Sequence, residues 1–401
     1  MGNDHIQEKI LNLSDGKFRV GLAPMEGVTE FPLRVWYALL SAPDFVCTPF
    51  LRATHTYPHL KWPLEFSPES FTDKLICSPL LMQMMAKNSG EFIQTLKLVP
   101  ENTASIDINC GCPAPVVVGK GAGSSILQDP LLFRKNISEI CHAIGPHRLG
   151  VKMRLGFHDT TLFSELINAI GDLPLARITI HGRTRDQGYK GNADWSLINL
   201  ATQLTDTPIW GSGDIFDLQT YREKLSLAPK VATVIIGRGA LRNPWIFDEI
   251  RNNREITVDK RTLIAAFIAF TLLHDLWNRD ELRFIEFIEE QFNGIITPLS
   301  SSSQWESIIC KLEGQYDGHW DQLELSRFAI GRTKMIWNYM RSGLPESFFE
   351  PRVLRSKTLQ QFIAAISAIW DQELVPFKFN PHHNWIYAGE KNPHKLRTSS
   401  L

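Results

Sequence analysis

The 401-residue sequence lacks the features that mark membrane and secreted proteins. No stretch approaches the roughly 18 consecutive apolar residues that a membrane span needs. The N-terminal residues MGNDHIQEKI lack the basic-then-apolar order of a signal peptide, and Ile6 stands where N-myristoylation requires Ser or Thr. We therefore expect a soluble, cytoplasmic protein that has no membrane partner.

The sequence also has few cysteines and almost no net charge. The six cysteines are too few and too scattered for a disulfide framework in a chain of this length, so we expect free thiols. No second Cys/His cluster has the spacing of a zinc site, so we expect no metal. The formal net charge of −1 and the pI near 6.9 give no bulk attraction to nucleic acid, and any RNA-binding surface has to be a local patch.

The sequence does contain a repeated alternation of short aliphatic runs and amphipathic segments, from Arg19 to about Ile250. Several of the runs are continuously apolar, as expected of parallel strands that are covered on both faces. Eight such units in roughly 230 residues favour a (β/α)8 TIM barrel over an open doubly wound sheet. The predicted strands are Val20–Ala23, Phe45–Thr48, Leu80–Met84, Ser105–Asn109, Leu149–Met153, Arg177–Ile180, Pro208–Trp210 and Ala232–Ile236, and the predicted helices include Glu30–Leu40, Ser89–Leu98, Pro130–Ile144 and Thr160–Ile170.

Beyond Pro244 the sequence changes to long apolar-periodic segments, which predict a smaller all-helical domain. We divide the chain into an N-terminal extension (1–18), a barrel (19–250), a helical domain (251–370) and a C-terminal tail (371–401) that we expect to be partly disordered. The four serines at 300–303 predict a loop tip or an insertion. Residues 251–325 carry 7 Lys or Arg against 13 Asp or Glu, whereas residues 326–370 carry 7 against 2, a net charge of +5.

Glycine-rich sequences follow the seventh and eighth predicted strands. They are Gly211-Ser212-Gly213-Asp214 and Gly237-Arg238-Gly239, at the corner of a TIM barrel that commonly holds a phosphate. Glycines let backbone N–H groups approach phosphate oxygens, and Arg238 can add charge. Two tight structural turns are the alternative. The glycines do not form G-x-G-x-x-G, so they give no Rossmann fingerprint.

Three further polar residues end predicted strands. Lys152 lies where a buried ammonium would stabilise an anion such as the N1/C2=O edge of a reduced flavin, although an internal ion pair is the alternative. His181 can hydrogen-bond a ring or a phosphate, and Gln83 can bond the pyrimidine edge of an isoalloxazine. His181 also has a purely structural alternative.

The segment Asn109-Cys110-Gly111-Cys112-Pro113 carries the candidate for acid catalysis. Strand alternation places Cys110 toward the helices and Asn109 toward the site, while Cys112 lies in a glycine-rich loop that can close over a substrate. A thiol with a pKa of about 8.5 is mostly protonated at neutral pH and can act as an acid. A redox Cys-Gly-Cys pair is the alternative, with a less usual spacing. We expect Cys112 to be a proton donor.

Taken together, the motifs resemble the tRNA-dihydrouridine synthases over roughly residues 19–250. The sequences Asn109-Cys110-Gly111-Cys112-Pro113 and His181-Gly182-Arg183-Thr184-Arg185-Asp186-Gln187-Gly188-Tyr189 are most similar to the bacterial C subfamily. The other matching segments are Leu22-Ala23-Pro24-Met25-Glu26-Gly27-Val28, Gln83-Met84, Lys152-Met153-Arg154, Gly213-Asp214 and Gly237-Arg238-Gly239-Ala240.

The resemblance implies an enzyme in which NADPH reduces FMN, a hydride passes to C6 of a specific uridine in the tRNA D-loop, and Cys112 protonates C5. The C-subfamily likeness favours position 16. We expect a monomer. The FMN contacts implied by the resemblance are Pro24, Met25, Glu26, Gln83, Lys152, His181, Ser212, Gly213, Asp214, Gly237 and Arg238.

The helical domain is similar to the tRNA-binding domain of the family, and Gly331 to Tyr339 matches its basic helix. The resemblance places Asn109 and Arg154 near the flipped uridine, and it assigns RNA contacts to Arg332, Lys334, Tyr339 and Arg352. Three departures stand out: Ser212 replaces the usual Asn, the helical domain carries extra residues near 275–320, and the C-terminal extension has no match. The alternatives are a dihydroorotate-dehydrogenase-like flavoenzyme acting on a free pyrimidine, and a catalytically silent RNA-binding protein.

Overall fold

A computed structural model of the protein describes residues 18–53, 66–70, 79–99, 103, 105–292, 298–344, 350–369 and 374–376. Eight parallel strands form a closed barrel, in which each strand pairs with the next and β8 pairs with β1. The predicted TIM barrel is therefore confirmed. The strands are β1 Arg19–Leu22, β2 Phe45–Arg52, β3 Leu80–Met85, β4 Ile106–Cys110, β5 Leu149–Arg154, β6 Arg177–His181, β7 Ile209–Ser212 and β8 Thr233–Ile236.

Helices surround the barrel, and aspartates begin several of them. Asp129, Asp194 and Asp217 each accept hydrogen bonds from backbone N–H groups of the helix that follows, which satisfies donors that have no partner inside the helix. The helices of this part of the chain are α1 Phe31–Leu40, α2 Ser89–Leu96, α3 Pro115–Val118, α4 Pro130–Ile144, α5 Phe163–Ile170, α6 Trp195–Leu204, α7 Leu218–Leu227, α8 Arg238–Arg242 and α9 Ile246–Asn252.

The interior of the barrel is filled by side chains, as in a packed core. A buried ion pair joins Asp107 to Arg177 at 2.6 Å, and the Arg177 guanidinium lies 4.9 Å from the centroid of the Trp210 ring. Phe45 fills the neighbouring space, and any side chain at Gly21 would overlap its ring. The barrel is therefore closed below its catalytic end.

The helical region packs directly on the barrel. Its long helix, α10, is almost wholly buried and contacts α1, α12 and α13, and the Trp36 indole donates to the Ala266 carbonyl at 2.9 Å. One hydrophobic core runs from the barrel helices into this region, so the domain boundary at 250/251 stays a prediction. The helices are α10 Lys260–Arg279, α11 Glu281–Gln291, α12 Ser302–Glu313, α13 Arg327–Met340, α14 Pro351–Arg355 and α15 Leu359–Ile369.

The serine run at 300–303 begins α12, so its prediction as a loop tip is wrong. Ser301 accepts from the Gln304 backbone N–H, while the Gln304 side chain accepts from the Ser301 backbone, which is a reciprocal capping box. Trp305 and Leu312 of α12 are fully buried. Much of the segment near 275–320 therefore belongs to the core.

The ends of the chain lie largely outside the described residues. Of the predicted tail, only Leu374–Pro376 is described; this strand, β10, pairs antiparallel with β9, Thr257–Asp259. The cysteines within the described residues are free thiols, as expected, whereas Cys77 lies outside them. None of the described helices combines the length and apolar content that a membrane span requires.

Candidate active site

Three segments meet at the carboxyl end of the barrel. We name them the β1 loop (residues 23–30), the cysteine loop (111–128) and the β6 loop (182–194). Strand register places Asn109 beside Lys152, Arg154 beside His181, and His181 beside Ser212. The residues predicted for the cofactor and the acid are therefore gathered at one barrel mouth.

Cys112 is half-buried at this mouth and is held by its backbone. Its N–H donates to the Asn109 side-chain oxygen at 2.9 Å, and its carbonyl accepts from the Ser124 hydroxyl at 2.9 Å. Burial raises the pKa of its thiol, a hydrogen bond from the Ala114 backbone opposes this effect, and Glu26 raises the pKa further. The thiol is therefore protonated at neutral pH, as a proton donor must be.

Cys110 occupies a different environment from Cys112. It is 1% exposed, lies in the core between the barrel and its helices, and has a pKa raised by burial. The orientation inferred from strand alternation is confirmed, and Cys110 is a packing residue.

Asn109 links the cysteine to the neighbouring strand. Its side-chain oxygen accepts from the N–H groups of both Gly111 and Cys112, and its Nδ2 donates to the Gln83 Oε1 at 2.7 Å. Because Gln83 is 2% exposed and its Oε1 is occupied, its Nε2 remains as a buried donor with no partner among the described residues. Such a donor costs free energy unless a ligand accepts from it.

Positive charge concentrates at the same mouth. Burial and the nearby Arg154 lower the pKa of Lys152 to about 8, and its ammonium forms no ion pair within the described part of the chain. Burial and four nearby cations, Arg154, Lys152, Arg183 and Arg238, hold the pKa of His181 well below its usual value. The His181 ring is therefore neutral, and its Nδ1 has no partner among the described residues.

Arg154 braces two of the loops. It is 4% exposed; its Nε donates to the Gly111 carbonyl at 2.8 Å, and its Nη1 donates to the carbonyls of Thr184 at 3.0 Å and Gly188 at 2.9 Å. The structure gives its Nη2 no hydrogen bond within the described residues. Arg154 therefore fixes the cysteine loop against the β6 loop and keeps one edge open to the mouth.

The β6 loop places an aromatic ring at the mouth. Tyr189 lies between two guanidinium groups, 3.8 Å from Arg238 and 5.7 Å from Arg154, and meets the His181 ring edge-on at 6.4 Å. The sequence motif that ends in Tyr189 contained this residue, but motif likeness alone assigned it no role.

Asp214 holds the base of the β6 loop. Its carboxylate accepts from the Arg183 guanidinium at 2.8 Å and from the Ala193 N–H at 2.6 Å, and Arg183 also donates to the Lys190 carbonyl. Since Arg183 is fully buried, this ion pair is structural. Asp214 was predicted as an FMN contact; the contacts that the structure shows are those of a loop anchor.

The glycines near β7 and β8 place no side chains at the corner of the barrel where a phosphate is expected. Gly213 has a φ of 120°, and a side chain there would press on Ala193 at 2.7 Å. Gly237 lies beside the half-buried Met25, whose Sδ would be 3.6 Å from an added Cβ. Ser212 and Arg238 flank the same space, so the corner can accept a phosphate close to the backbone.

The residues predicted to contact RNA lie on α13 and α14, in four different environments. The Lys334 ammonium donates to the Ser356 carbonyl at 3.0 Å, and Tyr339 packs partly against the core. The Arg352 side chain is 84% exposed. Arg332 is turned toward the β1 loop, where it donates to the Gly27 carbonyl and to Glu30.

Comparison with known proteins identifies the family. A model described as dihydrouridine synthase matches residues 21–291. A tRNA-dihydrouridine(47) synthase-like protein of Arabidopsis thaliana is 32% identical over 292 residues, which cover 69% of this chain and 40% of that protein. A tRNA-dihydrouridine(16) synthase of Escherichia coli O157:H7 is 30% identical over 242 residues, which cover 59% of this chain and 76% of that protein.

These alignments cover unequal parts of the relatives. The chain spans about two fifths of the length of the plant relatives that it matches. Among solved structures, the match to morphinone reductase covers 59% of this chain and 86% of that chain at 10% identity, with a TM-score of 0.41. Because the family match covers more than half of the sequence and includes every motif at the barrel mouth, the chain belongs to the dihydrouridine synthase family.

Proposed function

We propose that this protein is an FMN-dependent, NADPH-driven enzyme that reduces one uridine of the tRNA D-loop to 5,6-dihydrouridine, with Cys112 as the proton donor to C5. The observation that carries the proposal is the protonated Cys112 thiol, which Asn109 and Ser124 hold at the same barrel mouth as a cluster of cations. An acid and an anion-binding surface at one barrel mouth suit the addition of hydride and proton across a double bond.

The residues at the mouth fit a flavin. The buried Gln83 Nε2 and His181 Nδ1 have no partner among the described residues and can bond its polar ring edge. Lys152 supplies positive charge beside the position of a reduced ring. Ser212, Gly213, Gly237 and Arg238 would hold the phosphate. We further assign Pro24, Met25 and Glu26 to the ring and Asp214 to the support of the phosphate corner.

When bound, FMN supplies the hydride that adds to C6 of the uracil, and NADPH replenishes it. The relative from Arabidopsis carries NAD(P)(+) in its name. Cys112 gives its thiol proton to C5, so that both atoms of the double bond become saturated, and the resulting thiolate recovers its proton from water. Asn109 fixes the backbone of Cys112, and Arg154 can present its Nη2 edge to the base.

The target base has to leave the RNA stack to reach the mouth, at a cost of a few kcal/mol that is least in a loop. We propose that Lys334, Tyr339 and Arg352 contact the tRNA, because the +5 stretch of residues 326–370 supplies the local charge that phosphates need.

Relatives named for position 16 and for position 47 match at 30% and 32% identity. We propose position 16 because the cysteine motif and the β6-loop motif resemble the C subfamily. A cytoplasmic, monomeric protein stays a prediction.

The test separates the two half-reactions in matched cysteine variants. Cys112→Ala should bind FMN and be reduced by NADPH like the wild type, while tRNA reduction falls by about 10²- to 10⁴-fold, the usual contribution of an acid. Cys110→Ala is the control, because its thiol lies in the core and should be dispensable for both half-reactions. Full tRNA reduction by Cys112→Ala would assign the proton elsewhere, and a wild type that binds no FMN would refute the proposed function itself.

A further inference from the structure

Arg332 connects the helical region to the β1 loop. Its Nη1 donates to the Gly27 carbonyl and its Nη2 to the Glu30 carboxylate at 2.5 Å, across 305 and 302 residues of sequence. Gly27 follows directly on Pro24-Met25-Glu26, the segment assigned to the FMN ring, and Glu30 lies three residues further along the same loop. A residue of α13 therefore contacts the loop that is expected to hold the cofactor.

Other contacts of the β1 loop come from the barrel itself. The Thr29 hydroxyl bonds both the N–H and the carbonyl of Met25, and the buried Arg34 donates to the Thr29 carbonyl at 2.7 Å. Gly27 has a φ of 66°, so the chain turns sharply at the residue whose carbonyl accepts from Arg332. Arg34 and Thr29 thus fix one end of the turn, and Arg332 holds its apex.

The guanidinium of Arg332 is poorly placed to bind RNA in this arrangement. Its side chain is 14% exposed, and it lies 4.7 Å from the centroid of the Phe328 ring. Two of its nitrogens already donate to the β1 loop. A phosphate would have to displace the Glu30 carboxylate, whereas the Arg352 side chain is 84% exposed.

We propose that Arg332 is a positioning residue for the cofactor: it holds the β1 loop in the shape that binds FMN, instead of contacting RNA. This inference rests on the proposed function, because the loop acts through its contacts to FMN. Charge-assisted hydrogen bonds in a partly buried setting are strong enough to fix a turn. This contact also ties α13, the expected RNA-binding helix, to the cofactor site.

The first experiment measures FMN affinity in deflavinated full-length protein without RNA. Arg332→Met keeps the aliphatic stem and removes the donors, and Glu30→Gln removes the charge of the acceptor. Arg332→Met should weaken FMN binding by about tenfold, equivalent to about 1.4 kcal/mol, and Glu30→Gln should weaken it by less, because Arg332 keeps its bond to the Gly27 carbonyl. The double variant should be little worse than Arg332→Met alone, because Glu30 acts on the loop through Arg332. Arg332→Lys should recover part of the affinity. The control Arg327→Ala, exposed on the same helix, should bind FMN like the wild type.

The second experiment does not depend on FMN. Hydrogen exchange of residues 24–30 in the deflavinated protein should be faster in Arg332→Met than in the wild type and unchanged in Arg327→Ala. The inference would be overturned if a folded Arg332→Met variant exchanged hydrogen and bound FMN like the wild type. The contradiction would be clearest if that variant had also lost tRNA affinity. If Arg332→Met fails to fold, Glu30→Gln carries the same test. A wild type that binds no FMN refutes the proposed function, while the exchange measurement still decides the structural contact.

Discussion

A side chain at Gly123 is predicted to displace Cys112, the proposed proton donor. Gly123 begins the 3-10 turn Gly123–Gln128 at a φ of 61°, and an added Cβ would lie 2.8 Å from the Val117 side chain, 2.9 Å from the Cys112 carbonyl oxygen and 3.1 Å from the Cys112 Cβ. Ordinary contact starts at 3.4 Å. Because two of these three atoms belong to Cys112, Gly123→Ala has to move Cys112, Val117 or both.

Gly121 provides a matched control in the same loop. It also has a positive φ, 76°, but its added Cβ would meet only the flexible Lys87 side chain, at 3.6 Å. Both Ala variants pay roughly 1–2 kcal/mol for the left-handed backbone, whereas only Gly123→Ala adds the cost of overpacking, about 1–3 kcal/mol. The difference between the two variants therefore isolates the clash with Cys112 and Val117.

The expected loss appears in tRNA reduction and in stability. Displacing a reacting group by a fraction of an ångström to 1 Å costs up to about 10²-fold in rate, so Gly123→Ala should reduce tRNA about 10- to 100-fold more slowly than Gly121→Ala. The rate at which NADPH reduces bound FMN, monitored by the bleaching of flavin absorbance, should be equal in the two variants. Gly123→Ala should melt at the lower temperature. Equal rates of tRNA reduction in the two variants would refute the placement of Cys112.

Two further predictions concern titrating groups. The affinity for reduced FMN, whose ring is an anion, should fall as pH rises through about 8, the pKa of Lys152, by up to about tenfold per pH unit, because the positive charge beside the ring is lost. Anaerobic titration calorimetry with reduced FMN should show a flat profile for Lys152→Gln, and a profile parallel to the wild type would exclude this role. His274 is 1% exposed with both ring nitrogens unpartnered among the described residues, and its pKa is held well below 6.5 by burial. The unfolded chain therefore binds the proton first, and the wild type should lose up to about 1.4 kcal/mol per pH unit of stability below pH 6.5. His274→Leu should be at least as stable as the wild type at pH 7.5, and it should lose less stability than the wild type on acidification. Melting temperatures that shift equally with pH in both proteins would contradict this.

The sequence predicted the barrel because its strands carry a strong local signal. Ile106 and Ile108 alternate with Asp107 and Asn109, and this period of two was enough to separate the packing cysteine from the site cysteine. The start of α12 was missed although Ser301 and Gln304 have the spacing of a capping box. Serine is common both in loops and at helix N-caps, so the composition of this run does not decide between the two.

Long-range contacts could not be predicted in the same way. Arg332 looks like any basic residue on an amphipathic helix, and its partner Glu30 lies 302 residues earlier. Arg154 and Asn109 were expected beside the substrate, yet the structure shows that most of their donors and acceptors serve the loops around Cys112. Motif likeness indicates that a residue belongs to a site, whereas the three-dimensional structure shows which groups it contacts there.

Mass spectrometry of an unmodified tRNA transcript, treated with the FMN-loaded protein and NADPH, decides whether the protein reduces a tRNA uridine. We expect one D-loop uridine, at position 16, to gain the mass of two hydrogen atoms. In heavy water the hydrogen at C5 should come from the solvent, because the Cys112 thiol exchanges with water, and Cys112→Ala should give little product. An unchanged mass at every uridine of a transcript that the protein binds would contradict the account.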